Sequence, residues 1–272
     1  MADDRAIGVF DSGVGGLTVL RALKRQLPHE STVYLGDTAR VPYGTRSAQT
    51  VIRYALNNAR TLVRRADVKL LVVACNTVSA VALDALRQDL PIPVVGVIEP
   101  GARAALSATR GGSIAVLGTA GTVRSEAYPR ALRTLGFAGA VSARACPLLV
   151  PLVEEGWTSG EVPRLVVESY LRELPADTDV VVMGCTHYPL LEGTLRGALP
   201  HSTALVDGAR ATAQEVAAVL EASGQLAADT TLGRHTLLVT DAPEQMSRLA
   251  PAFLGEAVDT ASVELIDVDM TA

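Results

Sequence analysis

Two cysteines in this sequence stand where a thiol could act as an acid or a base. The segments Val72-Val-Ala-Cys-Asn-Thr77 and Val181-Val-Met-Gly-Cys-Thr-His187 each place a cysteine where a short apolar run ends. Runs of this length and composition indicate strands that are buried on both faces. We expect each thiol at a strand-to-helix turn capped by Asn76 or Thr186, where the helix dipole lowers the pKa of a thiol. The pair therefore predicts one acid–base site that is built from two equivalent halves.

A second pair of motifs supports this duplication. The strand 6–10 leads into Asp11-Ser-Gly-Val-Gly-Gly16, and the strand 113–117 leads into Gly118-Thr-Ala-Gly-Thr122. The separation along the chain from Asp11 to Cys75 is nearly the same as that from Thr119 to Cys185. Two units of nearly equal internal spacing are what a pair of similar domains leaves in a sequence.

The order of elements predicts an α/β protein of two similar, pseudo-twofold-related, doubly wound domains with mainly parallel sheets. The active site is expected in the cleft between them. Nine strands are predicted near residues 6–10, 32–36, 69–74, 93–97, 113–117, 140–144, 179–183, 203–206 and 236–240. The helices predicted between them include 17–26, 48–65, 79–87 and 163–174.

Prolines and glycines at 91–93 and 99–101 punctuate the chain where the second unit begins. Residues 1–97 with 209–272 are therefore expected to form the first domain, which carries Asp11 and Cys75. Residues 98–208 are expected to form the second domain, which carries Glu154, Cys185 and His187.

Composition argues against several classes of partner. The 272 residues carry a net charge of −5, and the arginines are spread along helix faces, so neither nucleic acid nor an anionic membrane is an expected partner. No apolar run approaches the roughly 18 residues of a membrane span, and residues 1–5 do not resemble the start of a signal peptide. Three cysteines without CxxC spacing favour free thiols in a cytoplasmic compartment.

The glycine-rich turn after the first strand matches a nucleotide-binding fingerprint only in part. The third glycine of GxGxxG falls on Thr18, and Asp11 at the mouth of the turn would repel a pyrophosphate. Asp37 ends the next strand, where a ribose-binding acid would stand, so a nucleotide site remains a minor alternative. No GK[ST] follows, which excludes a Walker loop. We expect the N–H groups of this turn to hold a small carboxylate instead.

The lysines and the spacing of metal-ligand types argue against a cofactor. Lys24 is expected on the solvent face of the first helix, and Lys69 opens the strand that leads to Cys75, away from the strand ends where α/β sites form. Pyridoxal phosphate needs a lysine in its pocket. Zinc held by Cys75, Cys185, His187 and one further ligand is an alternative, but metal ligands usually come in closely spaced pairs.

The remaining cysteine and histidines have plainer interpretations. Cys146 lacks a polar neighbour that could cap a helix and is expected to pack in the core. His29, His201 and His235 lie in charged or loop contexts. His187 differs because it stands two residues after Cys185, where it can polarise or orient that thiol.

Five segments together resemble the glutamate racemases of the cofactor-independent aspartate/glutamate racemase superfamily. In order they are Asp11-Ser-Gly-Val-Gly-Gly-Leu-Thr-Val19, Gly36-Asp-Thr-Ala-Arg40 with Pro42-Tyr-Gly44, Ala74-Cys-Asn-Thr77, Pro151-Leu-Val-Glu-Glu-Gly156 and Gly184-Cys-Thr-His-Tyr-Pro-Leu190. One departure is Gly208, which follows an aspartate where the family more often has serine. The last 40 or so residues carry no motif of this kind.

The resemblance implies an enzyme that interconverts L- and D-glutamate and supplies D-glutamate for peptidoglycan synthesis. In that family the residues matching Cys75 and Cys185 are the acid/base groups, assisted by those matching Asp11, Glu154 and His187. Family members often form dimers, so a homodimer is expected. The substrate contacts that the resemblance implies are Asp11, Ser12, Pro42, Tyr43, Gly44, Asn76, Thr77, Thr119, Thr122, Thr186 and His187.

Three alternatives stay open at this point. An aspartate racemase would share both thiols but bind a shorter side chain. A non-catalytic amino-acid-binding protein on the same fold is the second alternative, but it would have no functional need for the two cysteines. A thiol-redox protein would need the two cysteines close enough to bridge, which leaves no room for a substrate between them.

Overall fold

Residues 3–268 of the chain, which a computed structural model describes, contain two parallel β-sheets. The strands of the first sheet are β1 (Ile7–Asp11), β2 (Thr32–Gly36), β3 (Leu70–Val73), β4 (Val94–Gly96), β9 (His235–Val239) and β10 (Val263–Leu265). The strands of the second sheet are β5 (Ser113–Gly118), β6 (Val141–Ala145), β7 (Thr178–Gly184) and β8 (Ala204–Asp207). We call the parts of the chain built around these sheets the first unit and the second unit.

The two sheets share one strand order. The first runs β10-β9-β2-β1-β3-β4 and the second runs β6-β5-β7-β8, so β1 to β4 correspond to β5 to β8. All of these neighbours pair in parallel. Cys75 follows β3 and Cys185 follows β7, which puts the two thiols at equivalent strand ends. The predicted α/β class and its duplication are confirmed.

Twelve helices within residues 3–268 cover the faces of the sheets. They are α1 (Leu17–Gln26), α2 (Ala48–Ala66), α3 (Asn76–Val81), α4 (Leu83–Asp89), α5 (Ile98–Ala108), α6 (Ala120–Ser125), α7 (Ala127–Thr134), α8 (Leu149–Glu154), α9 (Glu161–Leu171), α10 (Glu192–Ala198), α11 (Gly208–Ser223) and α12 (Pro243–Phe253). Within the same range, no helix combines the length and the apolar composition that crossing a membrane requires.

Strand β3 explains why the first thiol is held rigidly. All four of its side chains are buried, and they alternate between the two faces of the sheet as a strand requires. Leu70 and Val72 join a core that continues into the second unit, whereas Leu71 and Val73 join the core under α2. Each such side chain contributes roughly 1.5–3 kcal/mol when it is fully buried, so the strand end that carries Cys75 is firmly anchored.

The structure departs from the predicted elements in three places. Strand β10 was not predicted, because Glu264 and Leu265 are exposed and leave no buried apolar run. A single helix over 79–87 is wrong, because α3 begins immediately after Cys75 and α4 follows it. The residues Pro100 and Gly101, predicted to punctuate the chain, lie within the first turn of α5, since the first turn of a helix tolerates proline.

Candidate active site

Both cysteines open on one cavity of about 410 Å³ at the carboxyl ends of the strands of both sheets. Cys75 is the N-terminal cap residue of α3, and Cys185 directly follows β7. Both are buried, and all three cysteines of the chain are free thiols. A cavity of this size accommodates a small organic ligand. The sequence-predicted residues that line it are Asp11, Ser12, Pro42, Tyr43, Gly44, Cys75, Asn76, Thr77, Thr119, Glu154, Cys185, Thr186 and His187.

Cys75 lies beside a hydroxyl and a buried carboxyl group. Its Sγ is 3.4 Å from Oγ of Ser12. Burial, and then the charge of Asp11, raises the pKa of Cys75 to about 12, although the Ser12 contact opposes the shift. The lowered pKa expected at a helix N-terminus is therefore wrong for this thiol, because burial outweighs the lowering effect of the Val78 N–H in α3.

Asp11 itself is held by the glycine-rich turn. The backbone N–H of Gly13 donates to Oδ1 of Asp11 at 2.9 Å, and the N–H of Gly16 also lowers the pKa of Asp11. Within residues 3–268, no group completes a hydrogen bond to Oδ2. Burial raises the pKa of Asp11, and the nearby charge of His187 opposes the rise. A polar oxygen that is buried without a partner is costly, so Oδ2 is a ready acceptor for a ligand N–H group.

Cys185 has a histidine as its neighbour. Nδ1 of His187 lies 3.9 Å from Sγ of Cys185, and Nε2 lies 2.9 Å from Oε1 of Glu154. Burial lowers the pKa of His187, but Cys185 and Glu154 together outweigh it and raise the pKa to about 10. The imidazole is therefore a cation at neutral pH, and the ring of Phe253 packs edge-on against it at 5.0 Å.

The two units interlock through glycines and threonines next to the thiols. A Cβ atom on Gly15 would lie 2.1 Å from Oγ1 of Thr186, and one on Gly121 would lie 3.0 Å from Cγ2 of Thr77. Thr77 and Thr119 also share a hydrogen bond of 2.8 Å across the units. The turn with Gly15 thus contacts Thr186, which follows Cys185, and the turn with Gly121 contacts Thr77, which lies two residues after Cys75. These reciprocal contacts fix the cleft between the two thiols.

The carboxylate of Asp37 holds the loop that carries Tyr43 by hydrogen bonds. Its carboxylate accepts hydrogen bonds from the Tyr43 hydroxyl, from Asn58 Nδ2 at 3.0 Å and from Thr240 Oγ1 at 2.8 Å. Arg40 donates a further bond at 2.5 Å. The residue is fully buried, so this acid is already engaged and does not fit the ribose-binding alternative.

Thr122 is the one sequence-predicted contact that does not line the cavity. It is buried behind Thr119, whose Oγ1 accepts from its backbone N–H at 3.2 Å. Most of the cavity-lining residues that were not predicted from sequence are apolar. Apolar residue types do not indicate a catalytic or binding role in a sequence. Pro147 follows β6, the counterpart of β2, so the duplication is a signal from which it could have been predicted. These residues are Gly13, Val14, Val41, Thr45, Ala120, Pro147, Val150, Pro151 and Tyr188.

The residues set aside on sequence grounds lie outside the cavity. Cys146 is fully buried in the core, where burial first of all raises its pKa to about 12. Lys69 is fully buried in an ion pair of 2.6 Å with Glu30, and Lys24 pairs with Glu256. Within residues 3–268, no three His, Cys, Asp or Glu side chains are grouped so that they could hold a metal ion.

Comparison with known proteins agrees with this geometry. Residues 7–216 match the model of the Asp/Glu/hydantoin racemase family. A glutamate racemase from Geobacter metallireducens is 53% identical over 252 residues, which are 92% of this chain and 93% of that one. The chain belongs to the glutamate racemases. It is therefore an isomerase, specifically an amino-acid racemase.

Solved glutamate racemases have the same fold. The isoform RacE1 from Bacillus anthracis is 40% identical, with a TM-score of 0.92 over 97% of each chain. The enzyme from Francisella tularensis, solved in complex with D-glutamate, is 32% identical, with a TM-score of 0.90 over 98% of this chain and 99% of that one. The alternative of a non-catalytic binding protein is therefore wrong.

Proposed function

We propose that this racemase interconverts L- and D-glutamate without a cofactor and uses Cys75 and Cys185 as its two acid/base groups. The observation that carries the proposal is that two thiols at equivalent strand ends open on one cavity of amino-acid size. The relative solved with D-glutamate supports the choice of substrate.

The chemistry requires a proton to leave one face of the α-carbon and another to arrive at the opposite face. One cysteine acts as a thiolate and takes the α-proton, while the other acts as a thiol and gives its proton to the carbanion. The two roles reverse for the opposite enantiomer. No cofactor delocalises the carbanion, so hydrogen-bond donors around the α-carboxylate must stabilise it. Asn76, Thr77 and Thr186 line the cavity as suitable donors.

Binding of substrate would also prepare the base beside Asp11. In the unliganded site the pKa of Cys75 is about 12, owing first to burial and then to the Asp11 charge. A substrate ammonium group that donates to the free Oδ2 of Asp11 would offset that charge and lower the pKa of the thiol. On the other side, Nδ1 of His187 lies 3.9 Å from the sulfur of Cys185.

The proposal extends to organisation and biological role. We assign residues 1–97 with 209–272 to one domain and residues 98–208 to the other, because the strands of the two sheets fall within these ranges. A homodimer and the supply of D-glutamate for peptidoglycan synthesis are part of the same proposal, by analogy with the family.

The test is isotope exchange with each enantiomer of glutamate and aspartate in D2O. We expect the Hα signal of both glutamate enantiomers to disappear from the NMR spectrum while the optical rotation decays to zero. Aspartate, the runner-up substrate, should exchange far more slowly because its side-chain carboxylate does not reach as far. Faster exchange of aspartate than of glutamate would overturn the substrate assignment.

A further inference from the structure

Tyr128 of the second unit reaches an amide of the first unit beside Cys75. Its hydroxyl donates a hydrogen bond of 2.8 Å to Oδ1 of Asn76. Both side chains are buried, with 2% of Tyr128 and 7% of Asn76 exposed.

This bond decides which end of the amide faces the cavity. A primary amide offers one acceptor oxygen and two N–H donors. Since Oδ1 of Asn76 is occupied by Tyr128, Nδ2 is the end left for a ligand in the cavity that Asn76 lines. If the amide were flipped end for end, an acceptor oxygen would face any bound carboxylate.

Two glycines fix the position of the Tyr128 ring. A Cβ atom on Gly101 would lie 3.1 Å from the Tyr128 hydroxyl oxygen, and one on Gly184 would lie 3.2 Å from Cε2 of the ring. These contacts give a role to the glycine in the first turn of α5. Burial, with the charges of Asp207 and Cys185, raises the pKa of Tyr128, so the phenol keeps the proton that it donates.

We propose that Tyr128 is a positioning residue, which fixes the Asn76 amide as a preset hydrogen-bond donor to a carboxylate of the substrate. The inference rests on the proposed function, because it assumes a carboxylate-bearing substrate beside Asn76. A donor to a carboxylate serves L- and D-glutamate alike, since both enantiomers carry that group.

The first test is the variant Tyr128→Phe, which removes only the hydroxyl. Loss of one such hydrogen bond should lower kcat/KM by about tenfold, equally for both enantiomers. The matched control is Tyr170→Phe, which removes a hydroxyl that accepts from the backbone N–H of Leu148 at 3.2 Å, outside the cavity. It should stay within about twofold of the wild type.

A double-mutant cycle separates positioning from general stability. If Tyr128 acts through Asn76, then adding Tyr128→Phe to the Asn76→Ala variant should cost less than about twofold. An equal loss in both backgrounds would mean that the hydroxyl acts elsewhere, and no loss in the wild type would mean that it does not act at all. Either result overturns the proposal.

NMR of the protein labelled with ¹⁵N-asparagine gives a readout independent of turnover. The Asn76 side-chain NH2 pair, identified by its absence in Asn76→Ala, should shift when D-glutamate is added and shift less in Tyr128→Phe. Without ligand, rotation of this amide should be slower in the wild type than in Tyr128→Phe. If glutamate is racemised but the pair does not shift, the positioning proposal fails alone. If glutamate neither binds nor turns over, the proposed function fails, and the ligand-free comparison still tests the Tyr128 contact.

Discussion

Nε2 of His187 lies 2.9 Å from Oε1 of Glu154, and Nδ1 of the same ring faces the sulfur of Cys185. The other thiol, Cys75, has a hydroxyl and a carboxyl group as its neighbours. The two halves of the cavity are therefore equivalent in backbone but not in charge. His187 lies beside Cys185 and Asp11 lies beside Cys75. Because of this difference, substitutions should affect the two half-reactions separately.

Replacement of either cysteine by serine should abolish full turnover, because a serine hydroxyl is far too weak a base. In the proposed mechanism, which follows the family precedent, Cys75 would take the proton from D-glutamate and Cys185 from L-glutamate. Cys75→Ser should still eliminate a good leaving group from a substituted L-glutamate analogue, and Cys185→Ser should prefer the D analogue. Equal residual activity of both variants toward both analogues would exclude thiols on opposite faces.

Substitution of the neighbouring groups should be selective in the same way. Asp11→Asn should slow the half-reaction in which Cys75 is the base by about a hundredfold, and His187→Asn should slow the Cys185 half-reaction comparably. The measurement is the exchange of Hα in D2O, started separately from L- and D-glutamate. Asp11→Asn serves as the control for His187→Asn, and identical profiles for the two variants would count against the assignment.

The buried His187 predicts that stability falls as pH rises. Its pKa is raised from 6.5 to about 10 in the folded state, so the folded protein holds a proton that the unfolded chain releases. This contribution is complete below pH of about 6.5 and is lost as pH approaches 10. Urea unfolding at pH 6.5, 8 and 9.5 should show a steeper loss of unfolding free energy in the wild type than in His187→Asn. Parallel curves would contradict the charged imidazole.

The buried Lys69–Glu30 pair predicts a large effect on stability without an effect on chemistry. Lys69→Met would leave the Glu30 carboxylate buried without its cation, which costs about 3–5 kcal/mol. Lys24→Met, which breaks the more exposed pair with Glu256, should cost about 1 kcal/mol or less. Denaturant unfolding measures both, and similar values for the two variants would refute a buried role for Lys69.

Chelation should leave the activity intact. Among residues 3–268 no side-chain group suits a metal ion, and the proposed chemistry needs only thiols and hydrogen-bond donors. Racemisation should therefore proceed at the same rate after treatment with EDTA and without added pyridoxal phosphate or nucleotide. Activity that disappears with EDTA and returns with zinc would sink the cofactor-free proposal.

Sequence patterns located the ends of the strands and therefore most of the cavity. Short valine- and leucine-rich runs mark β3 and β7, because strands buried on both faces leave no polar alternation. The electrostatic surroundings of Cys75 could not be obtained in this way. Its pKa depends on depth of burial and on the distance to Asp11, which lies far earlier in the chain, at the end of β1. The Tyr128–Asn76 hydrogen bond could not be predicted from sequence either, because it depends on how the two units pack against each other.

The reciprocal contacts of Gly15 with Thr186 and of Gly121 with Thr77 constrain how this enzyme can diverge. Both contacts lie beside the cysteines, and even one methyl group on either glycine would push a neighbouring atom aside. The close approach of the main chain at these two glycines therefore sets the distance between the two halves of the cavity. A change of substrate length is therefore easier to obtain by altering side chains of the cavity lining, such as Val41, Pro147 and Val150, than by altering these two turns.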